Sequence, residues 1–321
     1  ADFLYWFAGN SDLPSLLIRD NPSTPIAAIG SSDTTRTVIG GQTVGDWGHA
    51  GLRLRMGRFF AKSRIARFEL DLWYLFENSD SLSARSFDGD DILSRPLINS
   101  GTGLLDPQVI ALPGIAQGRF DTEYSRQLAG VDPTIFVCLN SSACRRFEFG
   151  TGYRFLFLRD ELTLRERVTL EPGGLIAPGT GYDIEDQFIA DNFLHLWQIG
   201  LSHSESRGRW LINVRGNLGL GVVTQQVKIR GDTRYLVGGE VIGGDPAGVL
   251  ALRTNGGTHE QTEFAWVPEF SLNLKRRLGR HVTAHVGYTV LFLPDVVSAV
   301  DHVPTSIDPR NLPPAQPGGG P

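Results

Sequence analysis

The chain has 321 residues but no run of the roughly 18 consecutive apolar residues that a transmembrane helix needs. Its apolar residues are nevertheless abundant, at 41% of the total. In lipid, the other structure that satisfies every backbone hydrogen-bonding group is a closed β-barrel. If this chain crosses a membrane, we therefore expect it to cross with strands.

Cysteine is scarce, with only Cys138 and Cys144 in the chain. They flank the polar segment 139–143, which predicts a hairpin turn. Two strands that close such a turn can bring their Cα atoms within disulfide range. We expect a disulfide formed in an oxidising compartment, with two independent thiols as the alternative. Without clustered histidines, two cysteines lack the ligands for a zinc site.

Signals for nucleic-acid binding and for catalysis are also weak. The net charge is a mild -5, which gives no sign of a nucleic-acid partner. His281 and His285 lie about 13 Å apart at strand rise, so they cannot share a metal ion. The sequence contains no Gly-x-Ser-x-Gly motif and no other nucleophile arrangement. We expect no enzyme activity and no cofactor.

What the sequence does contain is apolar–polar alternation with period two, which is typical of strands. In residues 64–77, for example, Phe68, Leu70 and Leu72 face one way, whereas Glu69 and Asp71 face the other. The same sorting appears in five further runs, at residues 46–57, 145–158, 209–222, 262–274 and 282–292.

The lengths of the strands and connections point to a membrane barrel. Several runs exceed the roughly 5–6 residues usual for soluble strands and match the roughly 9–11 residues that cross a bilayer at a tilt. Short turns alternate with long irregular segments. We predict an all-β fold, a single transmembrane antiparallel up-and-down β-barrel of about ten strands (8–12), with short periplasmic turns and long extracellular loops. It should cover residues 1–297, followed by an extended, poorly ordered Pro/Gly-rich tail at 298–321.

The charged residues on the polar faces of the strands are the main functional candidates. We expect them to face the lumen: Arg53, Arg55, Arg67, Glu69, Asp71, Glu148, Arg154, Arg215, Glu263 and Glu269. One interpretation is a salt-bridge ladder that fills a narrow barrel. The other is a pore constriction whose arginines favour anions.

Aromatic residues and acidic loops are secondary candidates. Aromatic girdles at the two membrane interfaces are predicted for Phe3, Trp6, Trp47, Tyr74, Tyr153, Trp197, Trp210, Trp266 and Tyr288, with ordinary packing between strands as the alternative. Asp88, Asp90 and Asp91 supply hard oxygen ligands for Ca²⁺ but lack a known loop spacing, so a solvated surface is favoured and no metal site is expected.

The chain also resembles a known family, beta-barrel porin-7, which is found largely in planctomycete bacteria. The resemblance rests on the opening residues 1–7, on the central stretch 207–216, on residues 250–257, on 263–270 and 286–292 near the end, and on Ile307-Asp308-Pro309. It implies an outer-membrane location and a barrel architecture, but no substrate and no catalytic residue. His285-x-Gly287-x-x-Val290-x-Phe292 further resembles the signal read by the barrel-insertion machinery.

These observations lead to an expectation for function. We expect an outer-membrane barrel of porin type that passes small solutes or ions through a charged lumen, as a mature chain after removal of a signal peptide. The alternative is a closed structural barrel that serves as a subunit or anchor of a larger envelope assembly, and a barrel enzyme is a distant third. The expected partners are outer-membrane lipid and, as a further possibility, copies of this chain or other envelope proteins.

Overall fold

The computed structural model describes residues 1–45, 48–60, 62, 64–87, 90–172, 177–279 and 282–313. Its strands are β1 (Asp2–Phe7), β2 (Ser11–Asp12), β3 (Leu17–Asp20), β4 (Arg36–Ile39), β5 (Thr43–Val44), β6 (Gly48–Phe59), β7 (Ala66–Ser86), β8 (Ile92–Arg95), β9 (Ile98–Asn99), β10 (Gln108–Ala111), β11 (Ala116–Ser141), β12 (Arg145–Leu170), β13 (Gly181–Arg207), β14 (Trp210–Val237), β15 (Glu240–Asp245), β16 (Gly257–Arg277), β17 (Thr283–Leu291) and β18 (Ser306–Ile307). Three short 3-10 turns lie at Ile26–Ala28, Val300–His302 and Pro309–Asn311. Within the described ranges, no helix has the length and hydropathy to cross a membrane.

One large antiparallel sheet dominates the molecule and confirms the predicted all-β class. Its order is β1-β6-β7-β11-β12-β13-β14-β16-β17, with β15 paired to β14 as a tenth strand off this path. Along the path, short turns after β6, β11, β13 and β16 alternate with long connections at the opposite end. We call these the short-turn end and the long-loop end.

The sheet curls until strands far apart in its order touch. Arg215 on β14 donates to Glu69 on β7 over 2.7 Å, although three strands lie between them. In a flat sheet, strands spaced about 4.8 Å apart would hold these two residues about 19 Å from each other. The curled sheet therefore has an inner face, which carries the charged side chains, and an outer face.

Four strands, β11 to β14, are far longer than predicted. The prediction ended too early because the apolar residues move from the outer to the inner face partway along each strand. On β12, the outward residues Phe147 to Phe157 are largely apolar, and the inward ones from Glu148 to Arg154 are polar or small. Beyond Phe157 the outward residues, such as Arg159 and Arg165, are polar, and inward Leu162 is apolar. A period-two pattern read in one phase ends at this inversion, although the strand continues to Leu170.

The inversion lies at the same level on neighbouring strands. Hydrogen-bonded pairing aligns Tyr74, Ala129, Phe157, Phe193 and Thr224 in one row across β7, β11, β12, β13 and β14. Within about two residues of this row, the outward residues on six strands change from apolar to polar, at 76/77, 129/127, 157/159, 193/191, 222/224 and 264/262. We call the strand segments between the short turns and this row the lower half, and those beyond it the upper half.

The lower half presents an apolar band whose dimensions fit a bilayer. The band runs over outward positions 68–76, 129–139, 147–157, 193–201, 210–222 and 264–274. Five of these six stretches have the roughly 9–11 residues with which a tilted strand crosses the hydrocarbon core, and the stretch on β14 is two residues longer. β14 continues from Thr224 to Val237, which extends the sheet about 45 Å beyond the row at strand rise.

The upper half encloses an ordinary hydrophobic core. Inward residues such as Phe120, Leu162 and Phe188 pack against Leu17 and Leu93, which come from a second sheet of order β10-β8-β3-β4. That sheet is built from the long connections, which were predicted to be irregular. Burial of this apolar surface explains why the long connections fold.

The structure corrects the prediction of a poorly ordered tail as far as residue 313. Val300 and Ile307 are buried in the upper core. The Asn192 side chain on β13 donates to the carbonyl of Val297 and accepts from its backbone N–H, at 2.9 Å each. The Pro/Gly composition does not prevent these contacts, because scattered apolar residues anchor the segment. Residues 314–321 lie outside the described part of the chain.

Candidate functional site

The lower half of the inner face carries a network of ion pairs centred on Arg154. This arginine is only 2% exposed and donates to Asp132 over 2.7 Å. It also donates to Glu269, which lies three strands away on β16. A buried charge is tolerated only when paired, so the two carboxylates and the arginine depend on one another.

A second part of the network joins β7 to β12 and β14. Arg67 donates to Glu148 over 3.0 Å and also contacts Glu69, which accepts from Arg215. The guanidinium carbons of Arg67 and Arg215 lie 4.1 and 4.6 Å from the centroid of the Phe136 ring. Phe136 is buried in the lumen between these two cations, an arrangement that cation–π attraction stabilises.

The third part of the network lies between β6 and β7. Arg53 and Arg55 both approach Asp71, with nitrogen–oxygen distances of 2.6 and 2.9 Å. Alternation places these residues on the inner face, and antiparallel pairing of β6 with β7 sets Arg55 opposite Asp71. Nine of the ten charged residues predicted to face the lumen therefore lie together on the inner face.

Glu263 is the exception and corrects the prediction. It has the inward phase of β16 but is exposed, because β17 pairs only with residues 269–277 and leaves this stretch of β16 with one neighbouring strand. Asp132 takes part in the network although the sequence analysis missed it. Its inward phase, set by alternation with Val131 and Ile135, was a usable signal.

Seven of the predicted girdle aromatics lie on the outer face and are exposed: Phe3, Tyr74, Tyr153, Trp197, Trp210, Trp266 and Tyr288. Trp6 does not, because β1 turns it inward, where its ring centroid lies 5.0 Å from that of Trp73. Trp47 lies outside the described residues. The Trp197 indole N–H donates to Thr151 over 2.9 Å, which satisfies its polar atom on the outer face.

The predicted disulfide is not present. Cys138 and Cys144 are free, and Cys144 is exposed. The turn lies later than predicted, at residues 142–144, so Cys138 pairs with Glu148 across β11 and β12 rather than with Cys144. Register therefore separates the two thiols along the strands.

The acidic loop does not assemble a metal site among the residues that the structure describes. Asp91 pairs with Arg19 at 3.4 Å, and the carboxylate of Asp90 accepts from the backbone N–H of Phe87 at 3.2 Å. Asp88 lies outside the described residues. The carboxylates of Asp90 and Asp91 therefore have local hydrogen-bond and ion-pair partners.

The upper half has a separate buried ionic cluster. Arg95, on β8 of the second sheet, lies 3.2 Å from Asp186 and 3.6 Å from Glu166 on the inner face. Asp186 also accepts from the backbone N–H groups of Leu250 and Ala251, at 3.1 and 2.8 Å. This cluster therefore ties two of the long connections to the wall of strands.

Glu166 is the titratable group of this cluster. Burial raises the pKa of Glu166 to about 7, because desolvation and the neighbouring Asp186 outweigh the attraction of Arg95. The folded protein thus holds this proton more tightly than the unfolded chain does. The free energy of unfolding should fall as pH rises from the usual carboxyl pKa of 4.5 to about 7.

We expect Glu166→Gln to remove this pH dependence. Relative to the native chain, the variant should gain on the order of 3 kcal/mol of unfolding free energy between pH 4.5 and pH 8. Denaturant titrations of the detergent-folded protein at both pH values measure it. Glu185→Gln, at an exposed position one residue from Asp186, is the control and should leave the slope unchanged. An unaltered slope in Glu166→Gln would contradict the assignment.

The charged side chains on the inner face are paired with one another and largely buried. An arginine–carboxylate network covers the lower part of the inner face, and folded connections pack against the upper part. Between them lies an apolar layer formed by Leu75, Leu128, Leu158 and Leu196 with their neighbours.

Comparisons with known proteins agree with this architecture. No curated protein and no solved structure matches the chain. The family described as "Putative beta barrel porin-7" matches residues 1–320, essentially the full length. Membership of a porin family implies an outer-membrane location and argues against an enzyme. The chain belongs to the beta-barrel porin-7 family.

Proposed function

We propose that this protein is a closed outer-membrane barrel that anchors a rigid body at the cell surface. The observation that carries the proposal is the burial of the charged and apolar side chains on the inner face. Arg154, Arg215 and their carboxylates occupy the lower lumen, and the second sheet occupies the upper one. The apolar band then spans the membrane, and the upper half of the strands projects from it at the long-loop end.

Closure of the sheet is part of this proposal. Both β1 and β17 run from the short-turn end to the long-loop end, since nine strands alternate in direction along the path. His285 on β17 lies 3.2 Å from Asp2 on β1, between Nε2 and Oδ1. Leu4 and Leu291 pack against the same cluster. We propose a nine-stranded barrel that closes with a parallel pair, an odd number being the exception among bacterial barrels.

A cross-link tests the closure. In a background with Cys138→Ser and Cys144→Ser, Asp2→Cys combined with His285→Cys should react with a short bismaleimide to give an intramolecular product in high yield. The control combines Asp2→Cys with Thr258→Cys. Thr258 lies at the long-loop end of β16, whereas Asp2 lies at the short-turn end of β1. Gel mobility after denaturation measures the yield. Equal yields from the two pairs would contradict closure at this seam.

The surface of the upper half is the expected contact region for envelope partners. Its outward charges pair across strands, for example Arg167 with Asp183 at 2.7 Å and Arg165 with Glu185 at 2.9 Å. These residues border a surface cavity of about 330 Å³. A polar face of this kind is suited to water and to polar partners rather than to lipid.

Conductance separates the anchor from the porin function that the family name suggests. In planar bilayers, we expect the folded full chain to give no discrete current steps, because buried ion pairs and the second sheet occupy the inner face of the described strands. Heat-modifiable gel mobility of the same sample controls for folding. Steps of uniform size would contradict the anchor and support the second candidate, passive passage of solutes. Arg67→Gln, near the short-turn end, should then shift the ion selectivity of those steps.

A further inference from the structure

A cavity of about 570 Å³ lies where the two edge strands end. It is lined by residues that follow β1, from Ala8 to Asp12, and by residues that follow β17, namely Phe292, Leu293 and 296–298. Phe7 and Phe292 line it and are also exposed on the outer face of the sheet. The cavity therefore opens sideways, between the edge strands, and its volume falls within the roughly 300–1,000 Å³ of small-molecule sites.

The lining divides into an apolar and a polar side. Leu75, Leu128 and Leu158, from the apolar layer above the charged network, form the apolar side. On two of these strands the polar side begins two residues nearer the long-loop end, since Arg126 precedes Leu128 on β11 and Asp160 follows Leu158 on β12. The cavity therefore changes from apolar to polar in the same direction as the outer face does. Apolar groups lie towards the short-turn end, and polar groups lie towards the long-loop end.

The level of the cavity matches the edge of the apolar band. Leu128 and Leu158 pair with each other one residue from Ala129 and Phe157, which belong to the row where the outer face becomes polar. A molecule entering from the bilayer at this level would meet the cavity at the boundary between acyl chains and head groups. It could keep the orientation of a lipid, with its chain on the apolar side and its head on the polar side.

The charge of the polar side selects the head group. Arg126 is used internally, since it donates to Asp160 over 2.7 Å, to the Tyr124 hydroxyl over 2.7 Å and to the carbonyl of Gly9. The exposed carboxylates of Asp12 and Asp301 also line the cavity. With Arg126 and Asp160 neutralising each other, the remaining charge is negative and attracts a cation.

We propose that this lateral cavity binds an amphiphile with one long hydrocarbon chain and an ammonium head group. The chain would lie on Leu128 and Leu158, and the ammonium would lie near Asp12 and Asp301. This site goes beyond the anchoring function and requires only that the apolar band lies in a membrane.

Native mass spectrometry of the full chain in maltoside micelles tests the proposal with two probes of equal chain length, tetradecylammonium and tetradecanoate. The ammonium probe should give a saturable one-to-one adduct and bind at least threefold more tightly than the carboxylate. Leu128→Trp, which fills the apolar side, should weaken the adduct at least tenfold. Leu218→Trp, on the lipid-facing side of β14, is the matched control and should bind as the native chain does.

A second variant keeps the test independent of folding defects in the core. Asp12→Asn with Asp301→Asn changes only exposed side chains and should abolish the preference for the ammonium probe. The proposal is overturned if no saturable adduct forms, if Leu128→Trp folds and binds like the native chain, or if the double variant keeps its preference.

Discussion

Replacing Arg154 with leucine is expected to destabilise the barrel by about 3–5 kcal/mol, because it leaves two buried carboxylates without their cationic partner. Asp132 and Glu269 accept from this arginine deep in the lower lumen, and all three side chains are shielded from solvent. Removing one partner of a buried ion pair leaves an uncompensated charge, which costs more than the pair itself contributes. Urea unfolding of the micelle-folded protein, followed by tryptophan fluorescence, measures the loss.

Two comparisons make this result specific. Arg165→Leu removes an exposed ion pair with Glu185 on the outer face and should cost less than about 1 kcal/mol. A triple variant that replaces Arg154, Asp132 and Glu269 with leucine should recover much of the loss, because no charge is left unpaired. If Arg154→Leu and Arg165→Leu are equally mild, the lumen is wet and open, and the account of a filled barrel is wrong.

A second large effect is expected on the lipid-facing side of β14. Leu218 faces outward within the apolar band, so Leu218→Arg places a charge in the bilayer and should cost about 2–4 kcal/mol. Gln226 faces the same way on the same strand, but beyond the row at Thr224, and its side chain donates to Glu260 over 3.3 Å. Gln226→Arg should therefore change stability by less than about 0.5 kcal/mol.

The pair of variants can be compared in liposomes by reversible unfolding or by the yield of heat-modifiable folded protein. Both introduce the same side chain in the same direction on one strand, so local strand propensity is matched. Equal costs at the two positions would mean that the change from apolar to polar outward residues does not mark the membrane boundary.

The lower half of the fold was predictable from sequence because its alternation has a single phase. Outward Phe68 and Phe149 and inward Glu69 and Arg154 follow directly from period two, and the network of arginines and carboxylates follows from their inward phase. The upper half was not predictable in this way. Its strands bury Leu162 and Val168 on the inner face, so the apolar phase is the reverse of that in the lower half and a pattern followed in one phase stops before them.

Other misses have equally local causes. Trp6 and Phe7 are both aromatic, and only the pairing of β1 with β6 decides which of them faces inward. The cysteine spacing suited a tight hairpin, but the turn lies at residues 142–144 and shifts the register past Cys138. The burial of Val300 and Ile307 could not be predicted from the Pro-rich last segment, because it depends on the upper core, which distant strands build.

The most direct test of the account is a spin-label scan of the outward positions of β14 in liposomes. Single labels would be placed at positions 212, 218, 220, 222, 226, 228 and 234, each reporting collision with oxygen and with a water-soluble nickel chelate. The account predicts oxygen-dominated collisions up to Val222 and nickel-dominated collisions from Gln226 onwards. Oxygen-dominated collisions through Arg234, or nickel-dominated collisions at Leu218, would contradict it.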